Sequence, residues 1–183
     1  MPYTVAVLIG SLRKESLTRQ FVEALKGISP EGLKLEVVEI GALPLFNADF
    51  EANPPAEVTA FKQAIEKSDA VLFATPEYNR SVPGVLKNAI DWGSRPYGKS
   101  SWNGKPAAVV SISQGVLSGF GANHHLRQSL VFLNMPTLQQ PEAYIAQVQT
   151  LLDGKGGFVK PETKGFMESF LKAFEGWIAK VKG

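Results

Sequence analysis

The chain has 183 residues, 44% of them hydrophobic and 20% charged, and contains no cysteine. Such a length suits one domain with a core of its own, and the missing cysteines exclude disulfides, thiolate metal sites, iron–sulfur clusters and thiol catalysis. Nineteen basic and seventeen acidic residues leave a scattered net charge of +2, which argues against a nucleic-acid face, and no apolar run approaches the roughly 18 to 20 residues of a membrane span.

Met1-Pro2 leads straight into Tyr3-Thr4-Val5-Ala6-Val7, without the basic segment, apolar stretch and small-residue cleavage site of an export signal. A cytoplasmic protein is expected. Val5 to Ile9 is continuously apolar and rich in β-branched residues, the pattern of a strand buried on both faces. "GSLRKES", residues 10 to 16, follows, and Leu17, Phe21, Leu25 and Ile28 then recur at helical spacing. Ser16 is placed as the N-cap of that helix. The amides of residues 17 to 19 and the positive helix end then face the space that the loop encloses.

Ser11, Ser16 and Thr18 add hydroxyls there, and Arg13, Lys14 and Arg19 can supply charge, while Glu15 is expected to face solvent. With Gly10 as its one glycine, the loop is neither a Walker A loop nor the G-x-G-x-x-G of dinucleotide folds. A terminal phosphomonoester would satisfy these groups. On composition alone, a solvated turn with an ordinary serine cap satisfies them equally.

Leu33 to Ile40 alternates and reads as a strand nearer an edge, and Val58, Phe61 and Ile65 mark a second helix. Ala70 to Thr75 is another strand buried on both faces. It leads into "TPEYNRSVPGVLKNAIDW", residues 75 to 92, in which Pro76 and Pro83 brace a loop and Gly84 opens a helix carrying Val85, Leu86, Ala89 and Ile90. Glu77 to Ser81 has no core role; it can present amides and one aromatic ring to a flat heterocycle, or form a surface turn.

Ser94 to Gly104 reads as a connecting loop and Ala107 to Ile112 as a further buried strand. After it come the loop Ser113 to Gly121 and a helix with Leu126, Leu130 and Leu133. His124 and His125 are adjacent and share no helical face, so no metal site is expected from them. A fifth strand is expected within Met135 to Ile145, interrupted by Pro136 and Pro141. Residues 151 to 163 read as a turn or short hairpin, and Phe166, Phe170, Phe174, Trp177 and Val181 as a closing helix.

Strands alternating with helices predict an α/β protein: a single domain over residues 1 to 183, flavodoxin-like, with a five-stranded parallel sheet in the order 2-1-3-4-5 and helices on both faces. Ligands of such sheets sit beyond the C-terminal strand ends where the order reverses. The loops Gly10 to Ser16, Pro76 to Pro83 and Ser113 to Gly121 should therefore make the site.

"GSLRKES" and "TPEYNRSVPGVLKNAIDW", together with "SISQGVLSGFGANHHLRQSL" and "HHLRQSLVFLNM", resemble the NADPH-dependent FMN reductase family, in particular its chromate and quinone reductase branch. The resemblance covers Val5 to Pro141. It implies that Ser11, Leu12, Arg13, Ser16 and Thr18 surround an FMN phosphate, that Pro76, Glu77, Tyr78 and Asn79 run along the isoalloxazine ring, and that Ser113, Gln114 and Gly115 approach it from the fourth strand. Thr18 stands where the family more often has asparagine, and Ser118 where a glycine pair is usual.

The resemblance further implies two-electron reduction of quinones and other small oxidants such as chromate. NADH or NADPH would be the co-substrate, in a ping-pong hydride cycle that needs no catalytic side chain, and the protein would assemble as homodimers pairing into homotetramers. Tyr78 would shape the open face of the ring, while Arg80 and Arg127 would attract nucleotide phosphates or make subunit contacts. A flavodoxin-type electron carrier, an azo or nitro reductase of the same fold and a non-redox binder of a phosphorylated small molecule are the alternatives. The slight positive charge disfavours the carrier, which needs acidic surface to dock its redox partners.

Overall fold

The structure, a computed structural model, describes residues Met1–Gly183. Along the chain alternate β1 (Tyr3–Ile9), α1 (Leu17–Gly27), β2 (Leu33–Val37), α2 (Ala56–Lys67), β3 (Ala70–Thr75), α3 (Gly84–Gly93), β4 (Ala107–Ile112), α4 (Phe120–Phe132), β5 (Ala143–Ile145) and α5 (Pro161–Lys182). All neighbouring strands are parallel, in the order β2-β1-β3-β4-β5, as the sequence pattern predicts. Ile9 pairs with Ala74, and Thr75 with Ser111. The C-terminal ends of β1, β3 and β4 therefore emerge together at one edge of the sheet.

Continuous apolarity has the expected cause: every residue of β3 and of β4 is buried, whereas β2, at the sheet edge, buries Leu33 and Leu35 and exposes Lys34 and Glu36. On one face Val5, Val7 and Ile9 pack with Phe21 and Leu25 of α1 and Phe170, Phe174 and Ile178 of α5. On the other, Ala6, Leu8, Phe73 and Val109 pack with Phe61 and Ile65 of α2, Leu86 and Ile90 of α3, and Leu126 and Leu130 of α4. Each such aliphatic or phenyl side chain contributes roughly 1.5 to 3 kcal/mol by leaving water.

One strand is shorter than the apolar pattern predicts, and the fifth occupies only the end of its expected range. β2 ends at Val37, although the Val38 amide still donates to Val7 O. β5 keeps only Ala143–Ile145, because Pro136 and Pro141 have no amide to contribute to a ladder. The chain approaches it through a single bridge, Thr137 to Ala107, and a bond from the Leu138 amide to Ala107 O. The turn or short hairpin expected within residues 151 to 163 is closed by one antiparallel bridge between Leu152 and Phe158.

The loop 94–104 departs further from its expected role as a plain connection. Trp102 is completely buried between Phe61 and Phe73, and its indole N–H donates to Ile90 O at 2.9 Å. On the same side, Asn88 and the Trp92 indole N–H both donate to Pro44 O, and Asn88 Oδ1 accepts from the Phe46 amide, which pins the segment after β2 onto α3.

One ion pair ties the last helix to the sheet. Asp69 accepts from the Thr4 amide at 2.8 Å and from Lys182 of α5. Burial pushes the Asp69 carboxyl upward, but the Lys182 hydrogen bond, the Thr4 amide and the nearby Lys182 and Lys105 charges outweigh it and hold it below its usual range. A carboxylate depressed in the folded state contributes stability above its unfolded value, about pH 4, and that contribution is lost as pH falls through the folded value. Thermal unfolding measured from pH 7 to pH 3 is expected to show a steepening loss below about pH 4 that an Asp69→Asn variant flattens. Identical slopes in the two proteins would remove Asp69 from that account.

Candidate functional site

The loops after β1, β3 and β4 meet over the C-terminal strand ends and enclose a cleft of about 170 Å³. Its walls include Ser11, Arg13, Ser16 and Thr18 from the first loop, Pro76, Glu77 and Tyr78 from the second, and Ser113 and Gln114 from the third. An adjoining cavity of about 500 Å³ shares Glu77 and Ser113 and adds Asn79, Arg80, Gly115, Val116 and Leu117. Of the twelve residues singled out for a ligand, nine therefore line the first cavity and Asn79 and Gly115 the second. Leu12 lines neither; its exposed side chain lies over Gly41.

The first loop is built around the start of α1. Ser16 is its N-cap, extended at φ −66°, and its hydroxyl accepts from the Arg19 amide at 3.2 Å. That bond uses one of the three amides expected to be free, leaving Leu17 and Thr18, whose amides have no acceptor within the helix. Ser11, Ser16 and Thr18 are 5%, 3% and 4% exposed, so three hydroxyls converge in a shielded space at the positive end of a helix. Arg19 does not contribute its charge here: its guanidinium pairs with Glu39 at 2.8 Å. Glu15 is exposed, as expected. Arg13 is left as the cationic side chain lining the cleft.

A phosphate fits this donor set of two backbone amides, up to three hydroxyls, one guanidinium and a helix N-terminus, and the carboxylate in the cleft walls, Glu77, is engaged by the Ala122 amide and Arg80. By contrast, a larger depression of about 610 Å³ between β2 and α2 carries Glu36, Glu39 and Glu57 in its walls and lies away from all three loops.

The second loop folds as a tight hairpin. Tyr78 and Ser81 exchange both backbone hydrogen bonds, at 3.2 and 3.0 Å, and the central residues Asn79 and Arg80 are left-handed at φ 51° and 63°. Two left-handed central positions are the geometry of a turn that usually requires glycine at the second of them. Arg80 accepts that strain, and its guanidinium donates to Glu77 Oε1 at 2.9 Å. Tyr78 is half exposed at the mouth of the cleft.

In the third loop Ser118 is left-handed at φ 59° and Gly119 at φ 71°. Ser118 thus holds a backbone conformation that favours glycine. The Ser113 hydroxyl accepts from the Gly115 amide at 3.0 Å, and the Ser113 amide and carbonyl bond to Ile145 O and the Val148 amide. Val148, Leu17 and Ile112 also line the cleft and were not singled out from sequence. Leu17 and Ile112 carry only core-type apolar signals, and Val148 belongs to a short helical turn, Val148–Thr150, that no periodicity marks.

Arg127 lines neither cavity. Its Nε donates to Asn123 and its Nη1 to Leu138 O, so it braces α4 against the approach to β5. The two histidines go to different partners, His124 to the Tyr144 hydroxyl and His125 to the Ser81 hydroxyl.

Known proteins resemble this chain over nearly its whole length. The profile of the NADPH-dependent FMN reductase family matches residues 3–150. A quinone reductase of Pseudomonas putida is 56% identical over 177 residues, covering 96% of this chain and 95% of its own. A 2-hydroxy-1,4-benzoquinone reductase of a Burkholderia species is 40% identical over 178 residues, covering 97% of each chain. The solved structure of FerB, a flavoenzyme NAD(P)H:(acceptor) oxidoreductase from Paracoccus denitrificans, superposes with a TM-score of 0.91 at 43% identity, covering 97% of this chain and 98% of that one.

Proposed function

The chain belongs to the NADPH-dependent FMN reductase family and to its quinone reductase branch, and on that premise we propose that residues 1–183 form one FMN-binding domain that passes two electrons from NAD(P)H to quinones. The observation that carries this reading is the convergence of Ser11, Ser16 and Thr18, with Arg13, on the N-terminus of α1 at the sheet's reversal point.

In this reading the first loop holds the FMN phosphate through the Leu17 and Thr18 amides, the three hydroxyls and Arg13. The backbone of Pro76, Glu77 and Tyr78 runs along the ring on one side, and Ser113 and Gln114 approach it on the other. Bound FMN supplies hydride acceptance and two-electron return, so the protein needs no side-chain acid or nucleophile. Its own work is to orient the ring and keep one face open. Asn79, Gly115, Val116 and Leu117 then form the adjoining cavity, where donor and acceptor take turns.

Sharing one cavity predicts a ping-pong pattern: initial rates against NADPH at several benzoquinone concentrations give parallel double-reciprocal lines. Lines that intersect would mean both molecules bind together. Chromate is an incidental acceptor in this reading, reduced in the same cavity, whose lining includes Arg80 in its ion pair with Glu77. Val131 and Phe132 of α4, 77% and 85% exposed, support association of copies into dimers and tetramers. No helix is long and apolar enough to cross a membrane; dependence on a reduced nicotinamide nucleotide supports a cytoplasmic setting.

A further inference from the structure

Glu77 stands in the ring-facing loop, yet its side chain does something else. Its carboxylate is 9% exposed and crosses to α4, where Oε2 accepts from the Ala122 amide at 3.0 Å, while Oε1 accepts from Arg80. Helix α4 starts at a left-handed Gly119 and has no side-chain cap from its own sequence. The cap arrives from 45 residues away.

The approach is close enough to select the residues of α4. A Cβ on Gly121 would sit 2.9 Å from both Arg80 O and Glu77 Oε2. Two further bonds reinforce the contact: His125 meets the Ser81 hydroxyl at 3.1 Å, and fully buried Asn123 donates to Ser111 at 3.2 Å, fixing α4 to β4 beneath. Glu77 and Ser113 are the two residues that line both cavities.

We propose that Glu77 is a positioning residue: by capping α4 from the loop after β3, its carboxylate sets the wall between the flavin cleft and the adjoining cavity, and so the geometry in which an acceptor meets the ring. The inference rests on the flavin reading above. Burial raises the Glu77 carboxyl, but the Ala122 amide, Arg80 and the Gly121 amide outweigh it and keep the group ionised and held. An ionised carboxylate at a helix N-terminus is a strong cap. Small displacements of such a wall matter, since misplacing reacting groups by about 1 Å costs on the order of a hundredfold in rate.

The test compares wild type, Glu77→Ala and Glu77→Gln, each supplied with FMN. It reads flavin affinity, the visible circular dichroism of the bound flavin, amide hydrogen exchange at Gly121 and Ala122, and KM and kcat for a benzoquinone. In Glu77→Ala, exchange accelerates, the flavin dichroism changes and the quinone KM rises about tenfold, the factor that roughly one lost capping bond supplies. Glu77 also belongs to the loop that runs along the ring, so KM and kcat are read at saturating FMN and flavin affinity is followed separately. Gln still accepts from the Ala122 amide and restores most of each signal. Faster exchange with unchanged dichroism and KM would reduce Glu77 to a purely structural cap and overturn the proposal, as would Gln behaving no better than Ala. A wild-type protein that takes up no FMN would instead remove the flavin reading, and the proposal with it.

Discussion

An Arg13→Ala protein is expected to hold FMN about 10- to 100-fold more weakly than wild type while unfolding at the same temperature without the cofactor. The magnitude follows from one charge-assisted hydrogen bond, about 1.5 to 3 kcal/mol. Arg13 is the substitution to make because its side chain is exposed, lines the cleft and is committed to no ion pair, whereas Arg19 is paired with Glu39. Ser16 would be a poorer probe: its hydroxyl also caps α1, so its loss costs about 1 kcal/mol of folding stability and confounds the two effects. Fluorescence quenching of free FMN on titration gives the affinity, and a melt of the apoprotein gives the stability. Equal FMN affinity in the two proteins would remove the phosphate from the first loop. A weaker complex with riboflavin as well as with FMN would move Arg13's contact away from the phosphate.

Trp102→Ala is expected to be the most destabilising substitution in the connecting loops, by about 3 to 5 kcal/mol. The indole is fully buried, packs edge-on against Phe61 and tilted against Phe73, and donates to Ile90 O. Truncation leaves a cavity and removes one of two hydrogen bonds to Ile90 O, the other coming from the Ser94 amide. Gly93 belongs to the same joint: a Cβ there would lie 2.3 Å from the Trp102 ring, so Gly93→Ala forces the indole out of its slot from the opposite side. Chemical denaturation of both variants should give midpoints well below wild type, with Trp102→Phe between. A Trp102→Ala loss under about 1 kcal/mol would mean that the loop repacks around the gap.

Trp102 also marks the limit of sequence reading in this fold. β3 and β4 are legible to the residue because continuous β-branched apolarity has few other solutions, and the five helices follow from 3.6-residue spacing. Trp102 sits alone among polar and glycine residues, without periodicity, so nothing local distinguishes a core anchor from a surface aromatic. β5 is faint in the sequence for a related reason. Its prolines remove pairing, and three residues, Ala143–Ile145, are too few to show a period.

The candidate site divides along the same line. Ser16 as a cap and the meeting of three loops follow from short-range capping chemistry and from topology, both written in the chain. The partners of Arg19, Arg127 and Glu77 are not. Each is a long side chain whose acceptor or donor, Glu39, Leu138 O or the Ala122 amide, lies on another element, so only the folded chain decides between ligand and protein. Ser118 shows the converse. A left-handed position can be held by a residue that sequence reading flags as a departure, at a backbone cost of about 1 to 2 kcal/mol met elsewhere in the fold.

The central claim is that this protein binds FMN and uses it to carry electrons from NAD(P)H to a quinone. The most direct test is the visible spectrum of the purified protein, supplied with FMN and freed of excess, followed in one anaerobic cuvette through addition of NADPH and then of a benzoquinone. A flavin band that bleaches with NADPH and returns with the quinone is the predicted result. A band that NADPH leaves unchanged, or a protein that retains no flavin at all, would contradict it.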